Sequence, residues 1–211
     1  MARIAKIEAR SYTDGPGGPR TVVFFQGCEN RCPGCQNQHL WNPDGGREVE
    51  IKDLAESMIL LNDRFTLSGG DPFFQPEALA ELVLRLRWTG EFENLSNRHI
   101  IVYTGFTWND LTDPSHPAYP WINQIFENID VLVDGRFIQE LDDPFLCHMG
   151  SRNQRAIDVF ETLLCGEIIT LDWQGELILT EQGDLILPAG YAPIFLGMGE
   201  VANSRMCGET Q

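Results

Sequence analysis

The chain has 211 residues, enough for one sizeable core with a small appendage but too few for two full domains. Its 31 acidic residues against 15 Lys and Arg leave a formal charge of -16, which excludes a protein that grips nucleic acid through clustered phosphate contacts. No apolar run approaches the roughly 18 residues that span a bilayer, and "MARIAKIEARSY" lacks the unbroken apolar centre of a signal peptide, so the expected location is the cytoplasm, away from any membrane.

In chain order, "RIAKIEARSY" and "TVVFF" read as strands separated by the Gly- and Pro-rich loop "TDGPGGPR". A cysteine-rich stretch follows directly. "IKDLAESMILLND" then places Ile51, Leu54, Ala55, Met58 and Ile59 at helical spacing, predicting an amphipathic helix that ends near Asn62. "FTLS" is a short buried strand running into Gly69 and Gly70. Pro76 opens a second helix from the first-turn position that tolerates its missing N–H. "HIIVYT", "PWINQIFENI" and "DVLVDG" continue the pattern as strand, helix and strand to about residue 136. Short, uniformly apolar strands alternating with helices predict an α/β fold built on a parallel sheet with helical cover.

Past residue 160 the texture changes. "EIITLDWQGELILTEQGDLILPAG" holds three apolar runs joined by hairpin-type turns, predicting a small antiparallel addition in which acidic residues far outnumber the single basic one, Arg205. The expected organisation is a core over residues 1–160 and a β-rich extension over 161–211.

Half of the six cysteines sit together, which fits metal ligation in a reducing compartment better than a disulfide framework. Cys28, Cys32, Cys35 and His39 have a spacing that a closed Cys3His zinc site accepts. The alternative is a [4Fe-4S] cube held by three thiolates, with one iron open to a further ligand. A chain with ample core of its own has little need of a zinc staple, and Gly34 permits close approach of a ligand just before Cys35. Cys147, Cys165 and Cys207 show no ligand spacing.

With Cys28, Cys32 and Cys35 spaced C-x3-C-x2-C, the sequence resembles the radical S-adenosylmethionine enzymes. Within them, "DGPGGPRTVVFFQGCENRCPGC", "LSGGDP", "VYTGF", "INQIFENIDVLVDGRF" and "GSRNQRAIDV" together resemble the branch that activates the anaerobic ribonucleotide reductase. The resemblance covers about residues 10–160. It implies an open, partial (β/α) barrel of the radical S-adenosylmethionine type, carrying here a C-terminal extension that short activating proteins lack. It also implies a cluster that chelates S-adenosylmethionine at its fourth iron and, reduced by a low-potential donor such as flavodoxin, cleaves it to a 5'-deoxyadenosyl radical. That radical takes a hydrogen atom from a glycine of the reductase. Other glycyl-radical enzymes, such as pyruvate formate-lyase, are the alternative targets, and a zinc-binding interaction protein without catalysis is the alternative of a different class.

By the same resemblance, Gly34, Cys35 and Gln36 pass beside the cofactor. Gly70, with Gly69 before it, lets the backbone approach its methionyl part, and Asp71 stands where the wider family carries Glu, within reach of the ammonium. Asp134 and Arg136 match positions that contact the ribose and carboxylate, Arg136 replacing a usual Lys, and Thr104 ends the third core strand at the ligand-binding edge. "SRMCGET" at 204–210 partly resembles the segment around the radical glycine of the reductase, which suggests a tail able to act as a pseudosubstrate.

Overall fold

A computed structural model describes residues 1–88 and 98–173 together with the backbone of two short strands at 178–179 and 185–186; the 204–210 tail and Cys207 lie outside the described residues. The fold is α/β on one mixed eight-stranded sheet. In chain order its strands are β1 (Ala2–Ser11), β2 (Arg20–Phe25), β3 (Arg47–Val49), β4 (Arg64–Gly69), β5 (His99–Tyr103), β6 (Val131–Asp134), β7 (Arg155–Asp158) and β8 (Thr170–Leu171). The helices are α1 (Ile51–Leu61), α2 (Pro76–Trp88), α3 (Trp108–Thr112), α4 (Tyr119–Phe126) and α5 (Val159–Cys165). The sheet order is β3-β1-β2-β4-β5-β6-β7-β8.

The expectation of a parallel sheet holds for the centre alone. β2, β4, β5 and β6 pair in parallel, whereas β1, β3, β7 and β8 all join antiparallel. Connection length is the physical reason at the β1 side: a parallel return needs a crossover of a dozen or more residues, and the loop from Tyr12 to Pro19 is too short for one. The predicted hairpin of the extension matches the pairing of β9 (Ile178–Leu179) with β10 (Leu185–Ile186).

Burial explains the helices. α1 buries Ile51, Leu54, Ala55 and Met58, as its spacing predicts, and stops where extended Asn62 donates its N–H to Met58. α2 buries Leu79, Leu82, Val83 and Leu86, and α4 buries Ile122, Ile125 and Phe126. These meet Val23, Phe25, Phe65, Leu67, Ile100, Val102 and Leu132 from the sheet in one core. Each fully buried side chain of this kind stabilises by about 1.5–3 kcal/mol. No described helix is long and apolar enough to cross a membrane.

The alternate strand residues point the other way. Ile101, Val131 and Val133 pack against Ala156 and buried Trp173, closing that face at one end. Phe24, Ser68 and Tyr103 also line a cavity on this face. At the N-terminal ends of the parallel strands, the fully buried Arg20 donates to Pro16 O, Thr66 Oγ1, Phe65 O and His99 O, which fastens the Gly/Pro loop under the sheet.

Candidate functional site

The cysteine loop leaves the C-terminal end of β2, and its neck is closed by backbone bonds. Gly27 N donates to Leu40 O at 2.8 Å and Cys28 N to Trp41 O at 3.2 Å, while the side chain of Gln26 reaches Leu40 O and Asn42 O. Inside the loop Cys35 N donates to Cys32 O and Asn37 N points at Cys35 Sγ, 3.4 Å away. Gly34 adopts a left-handed backbone, φ 74°, which a side chain would strain.

Beside this loop lie the C-terminal ends of the other parallel strands, the edge where such sheets gather ligands. β4 ends in Gly69, at φ 113°, followed by Gly70 and Asp71. A Cβ on Gly70 would lie 2.7 Å from the carbonyl carbon of Gly27 and closer still to its oxygen. The missing side chain therefore lets two backbones touch: Gly70 N donates to Phe25 O at 2.8 Å and Asp71 N to Gly27 O at 3.0 Å.

Cys28, Cys32 and Cys35 line one small cavity of about 130 Å³ together with Asn30, Trp41, Ser68, Gly70, Asp71, Tyr103 and Thr104. Cys35, Ser68, Tyr103, Phe137 and Gln154 also line a second, larger cavity of about 790 Å³, which takes in Gly34 and Gln36, so the two adjoin. The structure thus brings together Gly34, Cys35, Gln36, Gly70, Asp71 and Thr104. Asp134 and Arg136 line neither cavity. The Asp134 carboxylate is 1% exposed and takes both nitrogens of a bidentate Arg155 fork along with the backbone N–H of Trp108. Arg136 is exposed, its charge near enough to Asp71 and Cys32 to favour their ionised forms.

Asp71 is also 1% exposed, and its oxygens are well supplied with donors: Phe73 N at 3.0 Å, Gly105 N at 2.8 Å, Thr104 Oγ1 at 3.1 Å and Asn30 Nδ2 at 3.1 Å. Burial raises its pKa to about 6 against the pull of those donors. Burial, followed by the Asp71 charge, pushes the Cys28 thiol up to about 11, and burial followed by Cys35 pushes Cys32 up. Thiols held this way are protonated at neutral pH in the metal-free chain, so loading a cationic centre releases protons from the loop.

An all-sulfur donor set of three suits an iron–sulfur cluster or zinc. His39, the fourth ligand of the zinc reading, is exposed and lines neither cavity. Among the described residues no three His, Cys, Asp or Glu side chains converge on a point that a single ion could occupy.

Comparison with known proteins decides the centre. A family described as "4Fe-4S single cluster domain" matches residues 13–157. The anaerobic ribonucleoside-triphosphate reductase-activating protein of Vibrio cholerae is 38% identical over 148 residues, 67% of this chain and 88% of that one. The protein of the same name from Escherichia coli K12 is 33% identical over 150 residues with the same coverage. The chain belongs to this family of glycyl-radical-activating iron–sulfur enzymes. A pyruvate formate-lyase-activating enzyme from Clostridium pasteurianum is 32% identical over 168 residues, 76% of this chain and 62% of that enzyme. The matched domain supports an iron–sulfur cluster in this chain.

Residue-by-residue reading of the sequence missed Ser68, Tyr103, Gln154 and Arg155. The first two carried a signal: each is a polar residue beside buried apolar neighbours in a short strand, which period-two alternation turns away from the helices. Gln154 carried none. It is held by a local bond from Gly150 N and reaches the site by donating to Gly135 O, 19 residues earlier in the chain.

Proposed function

We propose that Cys28, Cys32 and Cys35 hold a [4Fe-4S] cluster at three corners, that S-adenosylmethionine binds beside it in the adjoining cavity, and that the target is the glycyl-radical subunit of an anaerobic ribonucleotide reductase. When bound, the cluster supplies the single electron that splits S-adenosylmethionine to methionine and a 5'-deoxyadenosyl radical, the species that takes a hydrogen atom from the target glycine. The observation that carries this reading is that the three-thiol cavity shares Cys35, Ser68, Tyr103, Phe137 and Gln154 with a larger one at the C-terminal edge of β2, β4 and β5.

The chain's own residues bind, orient and exclude water. Gly34 and Gln36 flank the passage from the thiols to the larger cavity, and Phe24, Tyr103 and Phe137 give that passage apolar walls. Gly69 and Gly70 bring the end of β4 against the root of the cysteine loop, and Asp71 with Thr104 frames the wall opposite Cys28. Asp134 and Arg136 support the rim from outside the lining. The sheet serves as the open, partial (β/α) barrel of radical S-adenosylmethionine enzymes, over a core of residues 1–160 with residues 161–211 as its extension, in a cytoplasmic protein reduced by a low-potential donor such as flavodoxin.

The test is anaerobic reconstitution with iron and sulfide, reduction, addition of S-adenosylmethionine and chromatography for 5'-deoxyadenosine. The wild-type chain yields the nucleoside and Cys32→Ala yields none. A reconstituted wild type that stays silent, or a Cys32→Ala variant of equal yield, refutes the proposal. The Clostridium pasteurianum match supports a second target, another glycyl-radical enzyme. Electron paramagnetic resonance on candidate polypeptides distinguishes the two by which one acquires the glycyl signal.

A further inference from the structure

Asn30 sits in the middle of the Cys28–Cys32 interval, and its side chain is bonded to a residue of another strand end. Its carboxamide Nδ2 donates to Asp71 Oδ2 at 3.1 Å. The same Asp71 oxygen accepts from Gly105 N at 2.8 Å, and Thr104 Oγ1 and Phe73 N hold the carboxylate from the other sides. Asn30 also lies directly over Gly105: a Cβ on that glycine would be 3.1 Å from Asn30 Cγ and nearer still to Nδ2. Gly105 does not have the left-handed φ that would require glycine for backbone reasons. Its missing side chain is explained by the carboxamide parked on top of it.

The geometry points to Asn30 as a positioning residue for the cluster, acting through a clasp of Asn30, Asp71 and Gly105 that pins the Cys28–Cys32 loop to the ends of β4 and β5. Two features of the loop require such a device. Arg31 has a positive φ of 46°, a backbone conformation that a non-glycine residue occupies only when its surroundings impose it. Within the Cys28–Cys32 segment, moreover, the bond from Asn30 is the side-chain tie to the ends of β4 and β5, while Cys32 meets the backbone of Phe137 beyond β6 and the neck of the loop is closed by backbone bonds. A hydrogen bond from a neutral amide to a buried carboxylate is strong enough to hold such a turn.

The inference rests on the assignment of Cys28, Cys32 and Cys35 as cluster ligands. Its test is the rate at which a ferrous chelator strips iron from the anaerobically reconstituted chain, together with the resonance spectrum of the reduced cluster. Asn30→Ala releases iron about tenfold faster than wild type and shifts the spectrum, while the thermal transition of the metal-free chain stays near the wild-type value. Gly105→Ala, whose methyl would displace the carboxamide, does the same by itself. In the Asn30→Ala background, however, Gly105→Ala adds nothing, because the methyl then fills the space the carboxamide left. Iron release from Asn30→Ala within twofold of wild type, or a Gly105→Ala effect of equal size with and without Asn30, overturns the clasp. Cys32→Ala separates the two readings: if it retains a full complement of iron, the ligand assignment fails, and if it loses iron while Asn30→Ala behaves as wild type, the clasp alone fails.

Discussion

Replacing Gly70 with Ala is the sharpest test of how the strand ends hold the cysteine loop. The added methyl would meet the Gly27 carbonyl carbon at 2.7 Å, and the obstacle is backbone on which no side chain can swing aside. Ordinary contact begins near 3.4 Å, so Gly27 and Gly70 must part by about 0.7 Å or more. Two backbone bonds cross that gap, from Gly70 N to Phe25 O and from Asp71 N to Gly27 O. Weakening both costs about 1 kcal/mol each, and overpacking strain adds about 1–2 kcal/mol. The expected loss is then about 3–4 kcal/mol, a large share of the roughly 5–15 kcal/mol that stabilises a domain. Urea denaturation of the metal-free chain under reducing conditions, followed by circular dichroism, reads it out. Gly166→Ala is the control, because that site has a left-handed φ of 74° but nothing within 4 Å of the added methyl, and it should lose only about 1 kcal/mol. A Gly70→Ala shift no larger than that of the control refutes the steric argument. Since Gly27 adjoins Cys28, iron binding should weaken in Gly70→Ala and not in Gly166→Ala.

Two further outcomes follow from buried charges. Burial, and after it the neighbouring Arg20, lowers the His99 pKa to about 4, so the unfolded chain takes up a proton near pH 6.5 that the folded chain refuses until about pH 4. Stability therefore falls as pH drops through that window, by about 3 kcal/mol when complete, and His99→Gln should flatten the difference in urea midpoint between pH 6.5 and 4. Asp134→Ala strands Arg155 and the Trp108 N–H, at a cost of about 2 kcal/mol. The value sits at the low end because the Arg155 side chain is 38% exposed and can rehydrate. In a double-mutant cycle Arg155→Ala should add little to Asp134→Ala, and full additivity would mean that the pair does not interact.

Legibility followed the range of the forces involved. The periodicity over 51–59 gave α1 its buried face, Pro76 its helix start and the short apolar runs their strands, because each is decided by neighbours a few residues apart. β3, β7, α3 and α5 escaped notice. Each is short: β3 and β7 exist through pairing with β1 and β6, while α3 and α5 carry local caps, at Thr107 and Asp158, but too few residues to show a period. Cys28, Cys32 and Cys35 were visible because ligand spacing is local. Asp134 was visible through the family resemblance alone, but its bidentate Arg155 lies 21 residues further on, and only pairing of β6 with β7 brings them together.

Read alone, the chain showed that thiols would cluster and that helices would cover a sheet, since spacing and periodicity are local, and its ordered motifs resembled a glycyl-radical-activating family. Tertiary structure decided which carboxylate serves which neighbour. Asp71 and Asp134 look alike as acids at strand ends, yet one takes the side chain of Asn30 from the cysteine loop and the other is taken up by an arginine. A buried charge must find donors wherever the fold supplies them, and the donors come from strands whose adjacency no local pattern records.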